Sequence, residues 1–175
     1  MSILKKNMLV LALVSSAFAA NAADQGSGTV TFTGSIIDAP CSINPDSVDQ
    51  TVALGEISQA SLANLGTSIP RNFSIKLENC DLTDKTKVAI TFNGSPDGVN
   101  SSLLGITGTA KGAGIAITDG SGAPIKLGVA STYRTLGEGS NTLVYSAYLQ
   151  GNSATAGSVV PGSFSSVADF TLAYQ

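Results

Sequence analysis

The chain has 175 residues, of which 12% are charged against roughly a quarter in an ordinary soluble domain, and it carries 19 glycines but no histidine or tryptophan. Without histidine it lacks the usual general base, the Ser-His and Cys-His catalytic pairs, and the commonest nitrogen ligand for zinc, copper or haem. The formal net charge of −3 makes nucleic acid and acidic surfaces poor partners.

Residues 1–22 open with Lys5 and Lys6, continue as an apolar run over residues 8–19 and end in Ala20-Asn21-Ala22. This three-part pattern reads as a secretory signal peptide. About a dozen apolar residues fall short of the roughly 20 that a transmembrane helix needs, so the mature chain is expected not to insert into a membrane. Cleavage would leave 153 residues from Ala23, room for one domain, with seven basic against twelve acidic residues and a net charge of −5.

Residues 23–33 come next. Gly28, Val30 and Phe32 share one face of an extended segment and Thr29, Thr31 and Thr33 the other. The glycines weaken this segment as an independent strand, so it is either a frayed first strand or an arm that completes a sheet elsewhere. A second strand is expected at residues 35–38, just before Cys41. Cys41 and Cys80 are the only cysteines, and in an exported chain an isolated pair reads as one disulfide. A redox-active pair would call for C-x-x-C spacing, which is absent.

Residues 57–65 alone look helical, for at most two turns, before Gly66. Apolar residues then alternate with polar or small ones in short runs bounded by turn formers. These runs are Phe73-Ile75-Leu77, Val88-Ile90-Phe92, Ile115-Ile117, Ile125-Leu127, Leu143-Tyr145-Ala147-Leu149 and Ala168-Phe170-Leu172-Tyr174. A tight turn is expected at Asp119-Gly120-Ser121-Gly122, and loops at residues 105–114 and 152–157. Period-two alternation of this kind predicts an antiparallel, all-β domain of six or seven strands, an immunoglobulin-like sandwich without its usual core tryptophan. Cys80 has the opposite parity from Phe73, Ile75 and Leu77, so a bulge or strand end must turn it toward Cys41. The last run reaches almost to Gln175 and leaves nothing to form a closing strand, so one sheet edge is expected to be uncovered.

Lys111-Gly112-Ala113-Gly114 lacks a Walker pattern and a following helix, and the scattered acids form no metal-spaced cluster. No cofactor, metal or enzymatic activity is expected.

Taken together, several stretches resemble the major pilins of the chaperone-usher pathway, in the P-pilus and type 1 fimbrial group. They are Gly28-Thr29-Val30-Thr31-Phe32-Thr33-Gly34 leading into Ile36-Ile37-Asp38-Ala39-Pro40-Cys41-Ser42-Ile43, then Asp49-Gln50-Thr51-Val52 with Leu54-Gly55. The pattern continues in Phe73 to Cys80 and in the ending from Phe164 to Gln175. The resemblance implies an incomplete immunoglobulin-like sandwich lacking its final strand, with residues 23–33 as an N-terminal donor-strand extension and 34–175 as the pilin domain.

It also implies partners: a periplasmic chaperone that lends a strand, an outer-membrane usher, and identical or related pilin subunits whose arms replace the chaperone strand. The product is an adhesive surface fimbria. By the same resemblance Gly28, Val30 and Phe32 are the donor-strand residues, with Gly28 at a shallow part of the groove. Gly162, Phe170, Leu172, Tyr174 and Gln175 are the chaperone and groove contacts, and Cys41 and Cys80 match the family disulfide. The alternatives are a minor tip or adaptor subunit of the same pathway, or a monomeric exported immunoglobulin-like binding domain.

Overall fold

The structure is a computed structural model that describes residues 26–155 and 157–175; the leader expected over residues 1–22 lies outside the described residues. The chain divides into a unit ending at Ile36 and a unit spanning Ile37–Gln175. In the first, residues 26–36 form neither helix nor strand, and all are exposed. Of the two readings of residues 23–33, the frayed first strand is not formed over the described residues 26–33, and the strand expected at 35–38 is not formed either. Alternation favours an extended backbone, but a strand exists only where another edge supplies its hydrogen bonds.

In the second unit the elements run β1 (Ser42–Ile43), a 3-10 turn (Pro45–Ser47), α1 (Gln59–Leu62) continuing into a 3-10 turn (Ala63–Leu65), β2 (Arg71–Cys80) and β3 (Lys87–Asn93). They continue as β4 (Leu104–Gly105), β5 (Thr107–Gly108), β6 (Ala113–Asp119), β7 (Pro124–Ile125), β8 (Arg134–Thr135), β9 (Gly139–Gly151), β10 (Phe164–Ser165) and β11 (Asp169–Tyr174). One sheet has the order β1-β2-β9-β6-β4, with β7 also on β6; a second has β11-β3-β8; β5 and β10 form a two-stranded ribbon. Every pairing is antiparallel.

In a seven-strand immunoglobulin sandwich the sheets are ordered A-B-E-D and C-F-G. Here β1-β2-β9-β6 reproduces the first and β3-β11 the C-F pair of the second, while no described segment fills the seventh position beside β11. The fold is an immunoglobulin-like sandwich short of its last strand.

The long alternating runs became β2, β3, β6, β9 and β11 because each buries one face. Ile75, Leu77, Val88, Ile90 and Tyr145 are almost wholly buried between the sheets. Phe73, Phe92 and Tyr145 pack with ring centroids 5.3–6.1 Å apart. A second cluster of Leu62, Ala113, Leu149 and Val159 lies at one end.

Cys41 and Cys80 form the expected disulfide and are both buried. The parity of Cys80 is resolved by a bulge: the β2–β9 register shifts between Leu77 and Cys80, and Asn79 takes a left-handed φ of 51°. That extra residue turns Cys80 inward.

Three further sequence expectations need correction. The glycine-rich tract 105–114, read as a loop, carries part of β4, all of β5 and the start of β6. The Ile125-Leu127 run is paired only over Pro124–Ile125. Strands number eleven among the described residues, not six or seven, because six of them are two-residue pairings. The expected turn at residues 119–122 is present. The Asp119 carboxylate accepts from Ser121 N (2.9 Å), Ser121 Oγ (2.6 Å) and Ala123 N (3.0 Å), and Gly122 takes a φ of 86°.

Candidate functional site

The open edge of β11 is the most chemically unfinished feature of the described residues. Gln175 and Lys87 exchange both backbone hydrogen bonds, at 3.0 and 2.9 Å, and Gln175 O also accepts from Thr86 N at 2.9 Å. Hydrogen-bonded and non-bonded pairs alternate along an antiparallel ladder. From the register it follows that Ala173–Ala89, Thr171–Thr91 and Asp169–Asn93 are the bonded pairs. The backbone N–H and C=O groups of Phe170, Leu172 and Tyr174 therefore point away from β3, toward the vacant position. The side chains of the same three residues turn inward and pack, partly buried, against the main core. Burial raises the Tyr174 phenol above its ordinary pKa, so it stays neutral and presents an apolar ring.

Beside this edge runs a groove made of two clefts of about 770 and 880 Å³ that share Val52, Leu54, Ile115 and Val167 in their lining. Its floor is apolar: Phe73, Ile75 and Phe92 at one end, Ala113, Leu149 and Leu62 at the other. One wall is the segment from Val159 to Phe170. The opposite wall is the segment after the 3-10 turn Pro45–Ser47.

That turn is tied to β2, since Ser47 Oγ accepts from Lys76 N at 3.0 Å. Beyond it, residues 49–57 make no backbone hydrogen bond among the described residues. Val52 and Leu54 are half-buried in this wall, while Thr51, Ala53 and Gly55 face outward. The groove thus has unpaired backbone along residues 49–57 and, continuing from its other wall, along the outer edge of β11, with hydrophobic side chains beneath. In water such an arrangement is an incomplete core, and a single extended segment with alternating apolar side chains would complete it.

Gly162 lies in the wall of the second cleft. A Cβ there would come within 2.5 Å of Ala110 N, so its place is fixed by close approach of residues 109–110 as well as by the groove. Phe170, Leu172 and Tyr174 are brought together on one face, Gln175 continues their ladder, and Gly162 stands farther along the same side of the groove.

The residues expected to form the donor strand lie in the other unit. Val30 is 74% and Phe32 89% exposed. Nothing in the chain demands glycine at position 28, where a Cβ would meet no atom within 4 Å. Ile36, on the same parity as Val30 and Phe32, is fully exposed; sequence reasoning placed it in a strand of the domain, although its parity was legible. Val52 and Leu54 were likewise visible only as part of a motif, without the role of wall.

A profile of the fimbrial protein family matches residues 30–175. The chain belongs to the fimbrial protein family. It is 57% identical to the Fimbria A protein of Serratia marcescens over 98% of this chain and 100% of that one. To the Major MR/P fimbria protein of Proteus mirabilis it is 50% identical, over 98% and 99% of the two chains. Among solved structures, a subunit of a chaperone-usher pilus superposes with a TM-score of 0.77 at 36% identity, covering 86% of this chain and 97% of that one. The P pilus rod subunit gives 0.69 at 33% identity, over 78% and 100%. This fimbrial subunit is thus a structural component of a surface fibre.

Proposed function

We propose that this fimbrial subunit is the major pilin of an adhesive fimbria and polymerises by donor-strand exchange, each subunit's N-terminal arm filling the groove of the next. The observation that carries this is the unpaired outer edge of β11 at Phe170, Leu172 and Tyr174, which continues from an open apolar groove that Phe170 lines. The complementary part is the exposed arm, in which Val30, Phe32 and Ile36 alternate with polar residues. In the filled groove, arm backbone groups pair with the β11 edge and with residues 49–57, and Val30 and Phe32 descend into the floor. Gly28 serves where the groove is too shallow for a side chain. The domain proper then begins near residue 34, with 23–33 as the donor extension.

Before assembly a periplasmic chaperone supplies the missing strand, contacting Phe170, Leu172, Tyr174, Gln175 and the wall at Gly162. An outer-membrane usher hosts the exchange for an arm. Arms that enter one subunit and leave the next make a heterologous contact that does not close, which yields a fibre. Similarity over nearly whole chain lengths to the Major MR/P fimbria protein and, at 39% identity, to the PRS fimbrial major pilin protein of Escherichia coli supports the major pilin over a tip or adaptor role.

The test is to add a peptide of residues 26–36 to a mature chain lacking residues 23–33. Saturation at 100 times Kd should stabilise it by about 2.7 kcal/mol, several degrees in melting temperature. A truncated chain that remains a stable monomer at high concentration and gains nothing from the peptide contradicts the proposal.

A further inference from the structure

The two walls of the groove are joined, among the described residues, by a single hydrogen bond: Gln59 Nε2 donates to Val159 O at 2.6 Å. Both residues line the far cleft. The donor is well placed to persist. Gln59 opens α1, whose first turn is capped by Ser58 Oγ accepting from Ala60 N at 3.3 Å, and Leu62 of the same turn is 3% exposed.

The acceptor is equally defined. Val160 exchanges both backbone hydrogen bonds with Lys111, at 3.2 and 2.9 Å, which directs its groups toward that residue. Alternation then points the neighbouring Val159 carbonyl the other way, into the groove. It is a backbone acceptor of the wall along which an added strand would pair, at the end of the wall remote from Tyr174.

We infer that Gln59 is the end stop of the groove: by satisfying the Val159 carbonyl in the way a strand N–H would, it limits how far along the wall the inserted segment can pair and so fixes its register. This rests on the donor-strand reading above, in which the occupant is the arm of a second copy. A strand that is free to slide by two residues keeps every side chain on the same face, so parity alone does not choose between such registers. A polar stop at one end does. Gln59 is a positioning residue: it contacts the wall and bounds the strand without being part of the floor.

The test uses the mature chain lacking residues 23–33, whose groove no arm of another copy can fill, and three arm peptides, covering residues 26–36, 24–36 and 26–38, with dissociation constants measured for the wild-type groove, Gln59→Ala and Gln59→Glu. Alanine frees the carbonyl and preserves the helix; glutamate keeps the shape but cannot donate when ionised. In the wild type the three peptides should bind alike, because the last acceptor is taken. In both variants one extended peptide should bind about fivefold more tightly than 26–36, the worth of one added hydrogen bond. A wild type and variants that rank the three peptides identically overturn the end stop while leaving donor-strand exchange intact. A wild type that binds none of the peptides removes the underlying reading itself.

Discussion

Phe32 offers a way to separate the assembly role proposed for the arm from any role in the subunit's own fold. Its ring is 89% exposed, so nearly all of its apolar surface is available for burial in another subunit. Complete burial of a phenylalanine side chain contributes about 1.5–3 kcal/mol relative to leaving it in water. Phe32→Ala keeps only the β-carbon, so the arm should lose about 1–2.5 kcal/mol of binding, a weakening of about 5- to 70-fold. The subunit should be almost unaffected, with its unfolding free energy changed by no more than about 0.5 kcal/mol, as for other exposed positions.

Two measurements made side by side decide the matter: competition of wild-type and Phe32→Ala peptides of residues 26–36 for the groove, and thermal unfolding of the variant subunit. Electron microscopy of cells expressing the variant should show few or short fibres, and Phe32→Asp should abolish them while leaving chaperone capture intact. Destabilisation of the variant's own fold by the 3–5 kcal/mol typical of a core Phe→Ala change, together with normal fibre assembly, would refute the reasoning.

Leu172→Asp places a charge on the groove-facing side of β11 and should abolish uptake of the arm peptide, measured by fluorescence anisotropy, whereas Thr171→Asp on the outward face should leave uptake near wild type. Replacing both Cys41 and Cys80 with serine opens a loop with a sequence separation of 39 residues and should lower unfolding free energy by about 4 kcal/mol on the chain-entropy account, read from urea denaturation. Gly162→Ala forces a Cβ to within 2.5 Å of Ala110 N, so faster amide exchange is expected at Thr109 and Ala110, whose N–H groups donate to Ser163 O. The Asp119 carboxylate is held below its ordinary pKa first by the Ser121 hydroxyl, against a smaller opposing effect of desolvation, with help from the Ala123 and Ser121 N–H groups and from Arg134 at 3.5 Å. A depressed carboxylate stabilises the folded state above its unfolded pKa of about 3.9 and loses that contribution as pH falls through its lower folded value. Protection factors of the β6–β7 turn amides, corrected for the intrinsic exchange rate, should therefore fall on acidification below about pH 4 in the wild type, and Asp119→Ala, which removes the acceptor oxygen, should show low protection at every pH.

The local sequence settled the features that depend on near neighbours. Period-two alternation defined β2, β3, β6, β9 and β11, because a half-buried strand must put every second side chain into the core. The cysteine pair and the wrong parity of Cys80 announced both the disulfide and the bulge at Asn79. The alternation of Phe170, Leu172 and Tyr174 marked the face of β11 that packs against the core.

Tertiary structure decided what depends on partners distant in the chain. Two-residue strands such as β5 and β10 carry almost no local pattern; they exist because Thr107–Gly108 meets Phe164–Ser165. No periodicity could tell that residues 49–57 run without backbone partners along the groove, or that Gln59 reaches Val159 one hundred positions away. The arm shows the same division most sharply. Its sequence specifies which side chains share a face, but whether that face becomes a strand depends on an edge that its own described fold does not provide, since a strand's hydrogen bonds always belong to two segments.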